Sequence, residues 1–213
     1  DAIEVIKKVD MLVQSVRRPE LDQHIRFGIP LNFGTAGLQN ALFNHMAADK
    51  KFRVRLISDT SMRLAAMLKN GALDAAIINE STVTDVTDET LTVTHSFQEE
   101  PLVWVFNPET LADWADELPF VGFSEGSPWT QAAVKALHEA GVAHYYAYMS
   151  TSFESVCCAV GEGIGMTVLP LSEVPENYAF VASNDRLPPL PAVRTVIRAR
   201  TESSSALEFC KLM

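Results

Sequence analysis

The segment Met67-Leu68-Lys69-Asn70-Gly71-Ala72-Leu73-Asp74-Ala75-Ala76-Ile77-Ile78 constrains the fold more than any other, because it reads as a helix that stops at a glycine and turns straight into a buried strand. Gly71 can take the left-handed conformation that closes a helix, and Lys69 suits the negative end of the helix dipole. Asp74 can accept backbone N–H bonds in the tight turn. Ala75 to Ile78 is an unalternating apolar run, as expected of a parallel strand covered on both faces. The same grammar returns in Val156-Cys157-Cys158-Ala159-Val160-Gly161-Glu162-Gly163-Ile164-Gly165-Met166-Thr167-Val168-Leu169-Pro170. Two such units predict an α/β protein with repeated crossovers.

The flanking pattern extends this reading. Ile25 to Ile29 reads as a strand, Leu38, Leu42 and Met46 place a helix on it, and Arg53 to Ile57 is the next strand. Leu64, Met67 and Leu68 give the following helix its buried face. A β-α-β-α-β order implies right-handed parallel crossovers, with ligand-accessible loops at the carboxyl ends of the strands, beginning at Pro30, Ser58 and Asn79. Leu91 to Phe97 then alternates and Leu102 to Phe106 is solidly apolar; the polar Gln98-Glu99-Glu100-Pro101 between them marks a first crossing into a second subdomain. Phe120 to Phe123, Tyr145 to Met149 and Ile164 to Leu169 supply strands there, with helices near 128–140 and 152–160. Leu187-Pro188-Pro189-Leu190-Pro191 marks the return, after which Val193 to Ile197 and a helix around Leu207 rejoin the first subdomain. A chain that crosses twice can hinge around a cleft.

Charge narrows the function. Seventeen Lys and Arg against 27 Asp and Glu give a net charge of -10, so this chain does not itself grip nucleic acid, which needs a concentrated basic face. No apolar run is long enough to span a bilayer, and no secretion signal opens the chain, so a cytoplasmic location is expected. Cys157, Cys158 and Cys210 form no C-x-x-C motif and fit a reducing compartment. Cys157 sits on an apolar face, as a structural thiol would. None of His24, His45, His95, His138 and His144 pairs at helical metal-ligand spacing, and G-x-S-x-G is missing. Neither metal, cofactor nor enzymatic activity is expected.

The order and spacing of the two helix-glycine-strand units resemble the effector-binding domain of LysR-type transcriptional regulators. Ile25-Arg26-Phe27-Gly28-Ile29 looks like the opening strand of that family, and Gly71 with Leu73-Asp74, then Gly163-Ile164-Gly165 through Leu169-Pro170, look like its two signatures. The likeness covers nearly the whole chain. Ser127-Pro128-Trp129 and Tyr148-Met149-Ser150-Thr151-Ser152 are similar to the LrhA/HexA/PecT subgroup, whose members regulate motility and exported factors. The resemblance implies two Rossmann-like lobes joined by a two-strand hinge, as in type II periplasmic binding proteins. Subdomain I would comprise residues 23–99 and 190–213, and subdomain II residues 100–189. It further implies a small-molecule effector in the interlobe cleft, a homodimer or homotetramer, and promoter DNA bound through a winged helix-turn-helix lying before Asp1. The apolar seam Ala2, Val5, Val9, Leu12 and Val16 fits either a short coiled coil or a helix packed on its own domain. The resemblance favours a coiled-coil-like linker helix over residues 1–22.

The expected effector site collects Asn32, Phe33, Thr35, Thr60, Ser61, Asn79 and Phe97 from the first lobe with Ser127, Trp129, Ser150, Thr151 and Phe153 from the second. Ser127 before Pro128 suits a helix N-cap, and Thr151 with Glu154 forms a capping box, so these hydroxyls have structural roles as well. Each aromatic taken singly also fits a core position. The loops around the site carry Glu80 and Glu125 but no Lys or Arg, which favours a neutral, apolar or aromatic ligand. A solute-binding protein for a transporter would share the two-lobe fold and is the alternative.

Overall fold

A computed structural model of the chain describes residues 24–31, 36–48, 51–81, 88–97, 99–109, 114, 116–124, 127–181 and 183–211. The linker helix expected over residues 1–22, and Asn32, Phe33 and Thr35, lie outside the described residues. The chain opens as β1 (His24–Pro30), α1 (Ala36–Ala48), β2 (Arg53–Asp59), α2 (Ser61–Lys69) and β3 (Ala75–Ser81), with β1 parallel to both other strands in the order β2-β1-β3. β4 (Leu91–Ser96) and the late strand β10 (Ala192–Arg200) complete this lobe. β10 runs antiparallel to β3 and to β4, and α5 (Ser204–Lys211) packs behind it.

Two apolar layers sandwich this sheet. Ile25, Phe27, Leu42, Ile77, Ile197 and Phe209 fill the side of α1 and α5; Leu64, Leu68, Leu73, Ala76, Ile78 and Val196 fill the side of α2. Ala75 to Ile78 is buried on both faces, as its unbroken apolar run requires. Gly28 permits the close approach of α2, since a Cβ there would lie 2.8 Å from the Leu64 and Leu73 side chains. Gly71 takes φ +75° after α2, the left-handed conformation that lets the next strand start.

The second lobe holds β5 (Glu100–Phe106), β6 (Leu118–Phe123), α3 (Pro128–Glu139), β7 (His144–Ser150), α4 (Phe153–Gly161), β8 (Thr167–Pro170) and β9 (Ala179–Val181). β5 pairs antiparallel with β8 and β9, β6 pairs parallel with β7, and a bridge from Phe120 to Met166 joins the two pieces. Trp104, Phe120, Phe123, Trp129, Leu137, Val156 and Val168 form its core. The lobes are joined through two residue pairs of β10 and β5, Ala192 with Pro101 and Val193 with Glu100.

Several boundaries differ from the sequence reading. β5 begins at Glu100 rather than Leu102, because the polar residues of the crossing are themselves paired with β10. β8 begins at Thr167 rather than Ile164: Ile164 is exposed, and the Gly163 to Gly165 turn runs so close to Pro119 that regular pairing starts only beyond Met166. β10 continues to Arg200, past the expected end at Ile197, since buried Arg198 finds a carboxylate partner. β9, only three residues long, carries no pattern to announce it.

Candidate functional site

The cleft forms where strand ends and helix starts of the two lobes face each other. Pro30 and Leu31 close β1, Thr60 and Ser61 open α2, and Asn79 lies near the end of β3. Opposite them stand Phe123 and Ser124 at the end of β6, Ser127, Pro128 and Trp129 at the start of α3, and Thr151 after β7. The cavity between them is about 20 Å3, roughly enough for one or two waters. Anything larger requires the walls to part.

Local hydrogen bonds fix these walls. Thr60 is the N-cap of α2: its Oγ1 accepts the Arg63 N–H at 3.4 Å, while its own N–H donates to Asp59 Oδ1 at 2.7 Å. Ser61 Oγ accepts the Asn79 N–H at 3.1 Å, tying α2 to β3, and Thr195 donates its hydroxyl to Asn79 Oδ1 at 2.9 Å. Across the cleft Ser127 is the N-cap of α3, accepting from the Thr130 N–H at 3.5 Å, and Pro128 follows at the first helical position. Thr130 Oγ1 accepts the Phe123 N–H at 2.9 Å and donates to the Phe123 carbonyl at 3.1 Å, which locks β6 to α3. Trp129 meets Phe123 edge-on, with ring centroids 5.4 Å apart.

Of the residues expected from sequence, Thr60, Ser61, Asn79, Ser127, Trp129 and Thr151 come together around the cavity. Ser150 sits just behind, its Oγ accepting the Ser152 N–H at 3.1 Å. Phe153 is one layer deeper, stacked on Phe123 with centroids 6.2 Å apart and packed on the second core. Phe97 is not brought to the cleft: its N–H donates to the Thr195 carbonyl and its ring packs on the first lobe's core beside α1 and α5. Pro30, Leu31, Ser124 and Pro128, which belong to the loops expected to face the cleft though not singled out as effector contacts, also line it, and Phe123 joins them from the end of β6. Position is the signal for all five, since each ends or directly follows a strand, or begins a helix, at one edge of the fold.

Two further expectations are corrected. Ser152, not Thr151, caps α4: it is extended at φ -87°, ψ 123°, and its Oγ accepts the Ser155 N–H at 3.2 Å. This leaves Thr151 exposed at the cleft. Glu80 does not line the cavity. It is buried, with Arg198 Nε 2.5 Å from one carboxylate oxygen and Arg194 3.5 Å from the other. Among the described residues no group of His, Cys, Asp and Glu could hold a metal ion, and no helix is long and apolar enough to cross a membrane.

Two α/β lobes joined by a strand crossover, with a cleft at the carboxyl ends of their parallel strands, define a two-lobe ligand-binding domain of the type II periplasmic-binding-protein kind. Residues 18–210 match the LysR substrate binding domain, and the chain belongs to that family. It is 29% identical over 174 residues to the HTH-type transcriptional regulator DgdR of Burkholderia cepacia, covering 82% of this chain and 57% of DgdR. The chain therefore spans little more than half the length of that relative. Among solved structures it is similar to the C-terminal domain of a protein assigned to the LysR family of transcriptional regulators from Rhodococcus sp. RHA1, with TM-score 0.64, 23% identity and coverage of 89% and 97% of the two chains. Full-length OxyR from Pseudomonas aeruginosa superposes with TM-score 0.65 at 15% identity, over 99% of this chain and 75% of that one. Full-length BenM gives 0.65 at 16% identity, over 99% and 72%.

Proposed function

We propose that this chain is the effector-sensing and oligomerising part of a cytoplasmic LysR-type transcriptional regulator, which binds promoter DNA through a winged helix-turn-helix preceding Asp1. The observation that carries the reading is the cleft itself, whose walls come from both lobes at the ends of parallel strands. Family membership supports regulation over transport, and DgdR bears the name of a helix-turn-helix regulator. An effector that wedges between the lobes changes their relative population of open and closed forms. We take residues 23–99 with 190–213, and 100–189, as the two moving units. Dimers would form by side-by-side packing of α1 of one copy with α3 of another, an isologous contact made twice. Within the family, Ser127 to Trp129 and Tyr148 to Ser152 support the LrhA/HexA/PecT subgroup. No enzymatic activity is part of this reading.

Thermal-shift screening followed by titration tests it. A ligand that binds the native state raises the melting temperature by mass action, and Thr60→Val with Ser127→Ala should weaken that ligand. Both hydroxyls are caps, so each variant is expected to lose about 1 kcal/mol of stability without ligand, and its ligand-free melting temperature is measured alongside. A ligand that keeps its affinity in both variants and perturbs residues away from the cleft would refute the site.

A further inference from the structure

The chemistry of the cleft walls selects among ligand charges. None of the eleven residues lining the cavity carries a charge. Nearby basic groups are committed elsewhere, Arg194 and Arg198 to Glu80 on the other side of β3, and exposed Arg63 to Asp59 at 3.7 Å. The start of α2, whose dipole would otherwise attract an anion, already has the Asp59 carboxylate bonded to the Thr60 N–H. At the start of α3, Pro128 has no N–H, and the Thr130 N–H is taken by Ser127. A carboxylate entering this cleft would lose its hydration and find no cation in return. A cation would find no lining carboxylate.

One wall residue does ask for a partner. Trp129 is only 2% exposed, lines the cavity, and its indole N–H has no acceptor among the described residues. By contrast the indole N–H of Trp104 donates to the Pro188 carbonyl at 2.8 Å. A buried donor without an acceptor is rare and costly, and indole can only donate. We propose that the cleft takes an uncharged ligand whose carbonyl or carboxamide oxygen accepts the Trp129 indole N–H. The apolar remainder of that ligand lies against Phe123, Pro30 and Leu31, and the hydroxyls of Thr60, Ser61 and Thr151 surround its polar end. This specifies the ligand class of the effector site proposed above and rests on that reading.

The test uses matched probes that differ in charge on one ring: benzamide, benzoate and benzylamine, with phenylacetamide, phenylacetate and phenethylamine as a second series. Each is titrated into the 15N-labelled chain at pH 7, following backbone amides and the indole N–H resonances. The amides should bind at least roughly tenfold more tightly than the acids or amines, shifting cleft amides and the Trp129 indole signal while leaving Trp104 unmoved. Trp129→Phe, which keeps a ring against Phe123 but removes the donor, should cut amide affinity roughly three- to tenfold. If that variant does not fold, the indole shift in the natural chain decides alone. Acids or amines binding the cleft as well as the amides would overturn the proposed ligand class while keeping the effector site. Amides that perturb the cleft but not the Trp129 indole would overturn the donor assignment. If no probe perturbs the cleft, the ligand class proposed here falls; if screening then finds ligands only elsewhere, the site falls with it.

Discussion

Asp74 shows what a residue in a recognisable motif does that its motif does not reveal. The sequence places it in the turn between α2 and β3, where a carboxylate can hold nearby N–H groups. In the folded chain it reaches instead to β1, accepting the Arg26 backbone N–H at 2.8 Å and gripping the Arg26 guanidinium through both oxygens at 3.0 and 2.6 Å. Its own N–H and carbonyl bond Arg26 and Arg200, so one residue ties β3 to β1 and to β10. Burial pushes the carboxyl group up, but the hydrogen bonds from Arg26 and the charges of Arg26 and Arg200 together outweigh it and hold Asp74 below its ordinary value. A depressed folded value stabilises above the unfolded pKa of about 3.9 and is lost as pH falls through the folded value. Asp74→Asn should therefore lower stability at pH 7 by about 2 kcal/mol, and its urea midpoint should fall less than the natural chain's between about pH 4 and pH 2. Equal acid sensitivity in the two proteins would remove Asp74 from this role. Cys157 is the opposite case, a side chain whose bland reading needs no partner: burial, then Glu173, raise its thiol to about 11, so it stays protonated at neutral pH.

At the scale of elements, punctuation was legible and pairing was not. Gly71 and Gly163 have φ of +75° and +74°, the left-handed turns that the two helix-glycine-strand units require. Apolar runs located β3, β5 and β6 because burial on both faces leaves a continuous pattern. Strand ends set by a neighbour were not legible, as with Glu100 and Pro101, which join β5 only because β10 lies beside them. Gly165 belongs to this second kind. A Cβ there would stand 2.3 Å from the Pro119 carbonyl oxygen, a backbone atom that cannot swing aside, where β6 passes the entry to β8. Gly165→Ala should cost about 1 to 3 kcal/mol through crowding. Gly141 offers a comparison, since nothing lies within 4 Å of its Cβ position and only its φ of +67° resists a side chain. Gly141→Ala should cost about 1 to 2 kcal/mol through backbone strain alone. Asn at Gly141 should recover part of the loss, because it tolerates that conformation, whereas Asn at Gly165 should be worse than Ala. Urea unfolding of the four variants checks the sign of each difference.

Among the described strands the two lobes share two ladder pairs, between β10 and β5, α3 also packs against β3, and the lobes face each other across a cleft of uncharged side chains. Six of the residues read from sequence meet there because they sit at strand ends and helix starts, positions that topology alone gathers at one edge. Phe97 packs on the first lobe's core instead, since an apolar ring after a strand serves the core as readily as a ligand, and only packing decides. Charge acts at this scale too. A net -10 spread over 213 residues repels a phosphate backbone, and among the described residues several basic side chains are paired with carboxylates: Arg26 to Asp74, Lys51 to Glu208, Arg194 and Arg198 to Glu80, and Arg200 to Glu202. DNA affinity grows with the number of phosphates neutralised and weakens with salt in proportion. This chain alone should therefore bind duplex DNA more weakly than about 10⁻⁴ M at physiological salt, the weak edge of ordinary non-specific binding. A gel-shift titration against an acidic control protein, repeated at low and high salt, measures it. Sequence-selective retardation that fades steeply with salt would mean that this chain carries a DNA-binding face of its own, and the division of labour with a separate helix-turn-helix would have to be abandoned.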